Sequence, residues 1–160
     1  MQTRNSAAYK GIMALILQDS PLDFMTGNRM DISSYIDEEA DIHHIFPQNY
    51  CRNIGYPQRK WNSVINKTPI YASSNRSIGG HAPSVYIKTM ASKGLTDDKI
   101  VNAIESHKIN YEYLSTDNFD AYFIDRTKQI IKCIEKAMGK TISGLDSEDT
   151  IREFGVSLSE

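Results

Sequence analysis

Phe119, Phe123, Ile130, Ile134 and Met138 recur at helical spacing, and Gly139 follows them. This periodicity predicts one long helix from about Asp117 to Met138, against which the rest of the 160-residue chain must pack. The composition, 40% hydrophobic and 24% charged, is that of a soluble globular domain able to bury its own core. A disulfide-stapled scaffold and a wholly disordered chain are excluded on that ground. Cys51 and Cys133 are far apart and no CxxC is present, which excludes a four-cysteine zinc site. They read as two reduced thiols of a cytoplasmic protein. The best apolar run, Ile12–Leu17, is far shorter than the roughly 18 residues of a membrane span, and Gln18–Pro21 after it is a poor leader-cleavage site.

Local signals place the remaining elements. Ser6 to about Gln18 reads as a helix that is apolar nearly all round and therefore buried, capped by Asn5 or Ser6 and stopped by Ser20-Pro21. Met25–Met30 suits a hairpin turn around Gly27-Asn28, and Ser33 to about Asp37 a short helix. Ala40–Phe46 reads as a strand ended by Pro47, and Gln48–Trp61 as a polar, aromatic-dotted connection. Asn66–Tyr71 reads as a second strand, followed by a short helix over Ala72–Ile78 that Gly79-Gly80 terminates. Pro83 opens a helix closed by Gly94, and Thr96 caps another with Asp97 and Asp98 in its first turn. The last 20 residues, 141–160, read as a loose tail. The expected class is α+β, a mainly helical domain over residues 1–140 wrapped around one β-hairpin.

The near-neutral balance, net −2, hides a segregation of charge. The 55 residues from 42 to 96 contain no Asp or Glu but carry Arg52, Arg59, Lys60, Lys67, Arg76, Lys88 and Lys93. The rest of the chain has a net charge of −9. A one-sign block of this kind suits a phosphate-binding surface, and it also holds three of the four histidines. A lone histidine is most often a satisfied core residue. Two adjacent ones, His43-His44, at a strand end before Pro47 can flank one ion or phosphate.

Asp41-Ile-His-His-Ile-Phe-Pro47, followed by Asn66 and then Asn75, resembles an HNH (His-Me finger, ββα-metal) nuclease. The nine-residue step from Asn66 to Asn75 is similar to that in the HNH domain of RNA-guided CRISPR nucleases. Further segments resemble the C-terminal nuclease half of the GmrSD-type modification-dependent restriction enzymes. These are Thr3-Arg4-Asn5, Leu22–Gly27, Asn66–Ile70, Asn75–Gly80, Ala82–Tyr86 and Glu135–Lys140.

The resemblance implies a ββα-metal core at about 40–80, a divalent ion (Mg²⁺, Mn²⁺, Zn²⁺ or Ni²⁺), DNA as substrate, and a nucleotide-hydrolysing domain preceding this half. Carried over by position, His44 is the general base, His43 and Asn75 are the metal ligands, and Asn66 orients the loop beside the catalytic histidine. A near-neutral imidazole suits the base role, and an imidazole with an amide oxygen admits a borderline cation. Lys67 and Arg76, next to the two asparagines, are the first expected phosphate contacts, and Arg59 and Lys60 the second. His81 is a possible third ligand, and His107 reads as a partner for a helix C-terminus. The rival readings are an inactive HNH fold kept for DNA binding or protein interaction, and a purely structural helical domain.

Overall fold

The computed structural model describes residues 6–31, 33, 35 and 40–159. The chain is mainly helical around one two-stranded antiparallel sheet, an α+β arrangement. Helix α1 (Ala7–Gln18) is capped by Ser6, whose side chain accepts from the Tyr9 N–H. Its burial is one-sided. Tyr9, Ile12, Met13, Ile16 and Leu17 face inward, while Ala8, Gly11 and Ala14 are exposed, because only one flank meets the long helix and the hairpin. The expected turn after it forms through a single antiparallel bridge, Leu22 to Arg29, with Gly27 at φ +67°. Of the helix expected from Ser33 to about Asp37, Ser33 and Tyr35 are described and both are helical; its other positions and the Asn5 cap lie outside the described residues.

Strands β1 (Ala40–His44) and β2 (Lys67–Tyr71) pair in the register Asp41↔Ile70, His43↔Thr68 and His44↔Lys67. Residues directly opposite share a face, so Asp41 and His43 lie on one side with Thr68 and Ile70. That side meets the main core of Phe24, Tyr86 and the later helices, whereas Ile42 packs toward the α1 cluster.

Between the strands the expected polar connection is two short helices, α2 (Gln48–Ile54) and α3 (Gln58–Trp61), and a 3₁₀ turn over Val64–Asn66. Pro47 and Pro57 stand at their N-caps, and Gly55 closes α2 at φ +90°. Proline before and glycine after a helix is a boundary signal that this segment carried. Asn66 therefore belongs to the turn and β2 starts at Lys67.

After β2 come α4 (Ala72–Ile78), α5 (Pro83–Ser92), α6 (Asp97–Glu105), α7 (Tyr111–Ser115) and the long α8 (Phe119–Met138). Among the described residues no helix is long and apolar enough to cross a membrane. Both cysteines are free, and burial raises the Cys51 thiol to about 12.

The C-terminal segment differs from the expected loose tail. It forms α9 (Glu148–Phe154), and Phe154 stacks on Phe123 at 6.1 Å. Beyond it Leu158 is buried and its N–H bonds the Leu145 carbonyl at 2.8 Å. The apolar Phe154 and Leu158 outweigh the polar composition around them, because α8 offers exposed apolar surface to cover.

Candidate active site

The end of β1 is held by a side chain acting as backbone. Asn66 is fully buried; its Oδ1 accepts from the Phe46 N–H at 2.9 Å, and its Nδ2 donates to the carbonyls of Phe46 (2.9 Å) and Trp61 (2.8 Å). These bonds continue the ladder past His44 and fix the chain as it enters Pro47. From α8, the Tyr122 hydroxyl donates to the Ile65 carbonyl and Arg126 donates to the carbonyls of Ile65 and Lys67, so the 3₁₀ turn is clamped on both sides of Asn66. A buried amide with its donors and acceptor paired is the arrangement that holds a loop in one conformation.

Helix α4 is fixed from the other direction by Asp23, which is fully buried. Its Oδ1 accepts from the Tyr71 N–H at 2.9 Å and its Oδ2 from the Ser74 hydroxyl at 2.6 Å. The same Oδ2 accepts the N–H groups of Met25 and Thr26. The residue after Ser74 is Asn75, whose Nδ2 donates to Asp41 Oδ2 at 2.7 Å. That bond leaves Asn75 Oδ1 facing His43 Nδ1 at 2.9 Å.

His43 is 2% exposed and sits between the rings of Phe24 (5.9 Å) and Tyr86 (5.7 Å), both nearly perpendicular to it. Burial lowers its pKa to about 4, against a smaller opposing effect from the Asn75 hydrogen bond, so the imidazole is neutral at pH 7. Among the described residues its buried Nε2 has no hydrogen-bond partner.

His44 is half-buried, with Nε2 at 3.3 Å from Asn62 Oδ1 and 3.4 Å from Gln48 Nε2, and its ring is 6.3 Å from that of Trp61. His43, His44 and Asn75 border one cleft of ≈ 240 Å³, together with Gln48, Asn49 and the Gly79-Gly80 pair. Gly79 adopts φ +61°, ψ −148°, a region essentially closed to other residues, and a Cβ on Gly80 would stand 3.2 Å from Asn49 Nδ2.

The 2.9 Å contact is a hydrogen bond that His43 Nδ1–H donates to Asn75 Oδ1, and the same spacing would admit a divalent ion in place of that proton. A six-coordinate cation with bonds of roughly 2.1 Å sets neighbouring donors about 3 Å apart, close to the 2.9 Å found here. A neutral imidazole has one lone pair to give. Carrying its proton on the otherwise unpartnered Nε2, against the aromatic rings, would free Nδ1 for the ion. Among the described residues no three His, Cys, Asp or Glu side chains form a cage, so the pair would be completed by water or substrate oxygens.

The cations expected to meet phosphate separate. Lys67 is 5% exposed, its ammonium 5.8 Å over the Tyr9 ring, because α1 covers the start of β2. Arg59 pairs with Glu153 at 3.3 Å, and Lys60 lies over the Phe123 ring at 5.8 Å, both drawn toward α8 and α9. None of the three lines the cleft. Arg76 is exposed on α4 beside Asn75, and His81 is exposed beyond Gly79-Gly80 without lining the cleft.

His107 is also no surface partner of a helix end. It is fully buried, its Nε2 donates to the Leu22 carbonyl at 2.8 Å, and its Nδ1 faces the Thr68 hydroxyl at 2.6 Å. Gln48 and Asn62 escaped the sequence reading, which named Asp41 only as the start of the motif and Arg52 only within the acid-free block, with no individual role for either. The Pro47–Gly55 bracket was the available signal, since a helix there sets Gln48 and Arg52 on one face.

An uncharacterized protein of Methanocaldococcus jannaschii is 37% identical to this chain over 120 residues. The match covers 70% of this chain and 20% of that protein, so the chain spans about a fifth of the length of the curated relative it matches. No family model matches the chain, and no solved structure matches it.

Proposed function

We propose that this chain is an HNH-type DNA endonuclease domain, the phosphodiester-cleaving part of a larger cytoplasmic restriction or defence protein that also carries a nucleotide-hydrolysing domain. The observation that carries the reading is the meeting of His43, His44 and Asn75 at one cleft, with Asn66 pinning the turn between the strands. The order strand, pinned turn, strand, helix is the order the HNH resemblance implies.

Hydrolysis of a phosphodiester needs an activated water, neutralised phosphoryl oxygens and a stabilised leaving 3′-oxygen. A divalent ion held by His43 Nδ1 and Asn75 Oδ1 would supply the last two. His43 stays neutral at pH 7 because it is buried, so it offers a lone pair without repelling a cation. Asp41 grips the Asn75 Nδ2 and turns the amide oxygen toward His43, and its charge favours a cation nearby. His44, half-exposed in the same cleft, takes the proton from the attacking water. Gly79 and Gly80 add no side chain of their own to the cleft, and the space over Gly80 is taken by Asn49, whose amide borders the same cleft.

The test is nicking of supercoiled plasmid at pH 8 with Mg²⁺, Mn²⁺, Zn²⁺ or Ni²⁺, and with chelator. We expect metal-dependent nicking by the parent and a loss of roughly 10²–10⁴-fold in His44→Ala, with metal and DNA binding retained. A variant rate within threefold of the parent would remove His44 from the base role. DNA binding without nicking under any of the four ions would favour the inactive HNH-fold module instead.

A further inference from the structure

The fold withdraws Lys67, Arg59 and Lys60 from the cleft and leaves Arg76 exposed on the α4 side, so the α2 side still lacks an assigned contact to the nucleic-acid backbone. Helix α2 answers this. Gln48 and Arg52 are four residues apart and share a face. Gln48 reaches His44, and one turn further along, the exposed Arg52 guanidinium lies 5.3 Å over the Trp61 ring. Trp61 is 3% exposed and its ring is 6.3 Å from His44, so Arg52 rests on a rigid platform beside the proposed base. A guanidinium stacked on a fixed ring loses less side-chain freedom on binding, and its planar fork suits phosphate oxygens. Among the described residues no carboxylate pairs with Arg52, and no Asp or Glu occurs between residues 42 and 96. The outer surface of α2 continues the pattern. Asn49 borders the cleft opposite Gly80, Asn53 is exposed one turn on, and Ile54 is 56% exposed.

We propose that α2 is the DNA-docking helix of this domain, and that Arg52, held on Trp61, grips a backbone phosphate of the duplex beside the cleft. This rests on the nuclease reading above and adds to it the surface that seats the substrate.

The experiment measures binding of a fluorescently labelled DNA duplex to the full chain in chelator, over a series of salt concentrations. A matched RNA duplex and plasmid nicking are measured in parallel. Arg52→Gln, at an exposed position, should reduce the salt slope by about 1 and weaken low-salt affinity roughly five- to tenfold. In nicking it should raise KM while leaving kcat within about twofold, as expected for lost uniform binding. Arg52→Lys should keep the slope yet bind about threefold more weakly, because the charge remains and the stacked fork is lost. Lys99→Gln, exposed on α6, should match the parent. An unchanged slope in Arg52→Gln, with the parent still nicking plasmid, would overturn the docking assignment and leave the nuclease reading standing. Tighter binding of the RNA duplex than of DNA would overturn DNA as the occupant. Failure of the parent to bind either duplex and to nick plasmid would remove both.

Discussion

Two buried histidines pack edge-to-face against Phe24, and they have different fates. His107 is fully enclosed, with both ring nitrogens engaged, by Thr68 and the Leu22 carbonyl, and its own carbonyl accepts from Arg126. His43 is almost as buried, but only Nδ1 is engaged, by the amide of a residue bordering an open cleft, and among the described residues Nε2 has no hydrogen-bond partner. Complete pairing marks a group that joins strand, turn and helix. An imidazole whose hydrogen bond runs to the side chain of a cleft residue marks a group whose Nδ1 is able to take on a further partner. The arrangement around Arg126, whose guanidinium donates to the carbonyls of His107, Ile65 and Lys67, belongs with the first kind.

The largest expected effect tests the structural half of this comparison. His107→Ala removes two buried hydrogen bonds and leaves a cavity, for a loss of roughly 2–4 kcal/mol in chemical denaturation. Nicking by the folded fraction should stay within about threefold of the parent. A stable variant with lost activity would reverse the roles assigned to the two histidines.

The second prediction uses what the two share. Burial lowers the pKa of His43 to about 4 and of His107 to about 3, from 6.5. Each therefore binds its proton in the unfolded chain and not in the folded one. Their stabilising contribution is complete above about pH 6.5 and is lost as pH falls toward 4 and 3, by ~1.4 kcal/mol per pH unit for each histidine. In chelator, unfolding near pH 5 should take up close to one more proton in the parent than in His107→Gln. Equal proton uptake in parent and variant would show that His107 is not held neutral by the fold.

The smallest effect sharpens the functional half. Asp41→Asn keeps the shape beside Asn75 but removes the charge that orients its amide. Divalent-ion affinity, read by calorimetry, should fall roughly tenfold with little change in stability. Affinity equal to the parent would separate Asp41 from the proposed ion site.

The sequence made the order of the site legible. Pro47 announced the end of β1, Gly79-Gly80 the end of α4, and the steps from His44 to Asn66 to Asn75 set cleft histidine, pinned turn and helix residue in sequence. It also marked α8 and its closing glycine, because a repeat of apolar residues over five turns needs no distant information. Helices α2 and α3 were harder to see. Each is too short to be stable alone and depends on tertiary contacts, such as the buried Cys51 and Trp61. The packed C-terminal segment was missed for a similar reason, since two residues, Phe154 and Leu158, carry its docking.

Charge divided the two levels most sharply. The sequence by itself determined that residues 42–96 carry seven cations and no acid, a property of composition that no fold can alter. Only the tertiary structure decided their uses. It laid Lys67 over the Tyr9 ring, gave Arg59 to Glu153, placed Lys60 over Phe123 and set Arg52 on Trp61 beside His44. The physical reason is that a long cationic side chain takes its environment from whichever distant segment packs against its stem. In this chain those segments are α1, α8 and α9 for the three cations withdrawn from the cleft, and α3 for Arg52, which rests on Trp61.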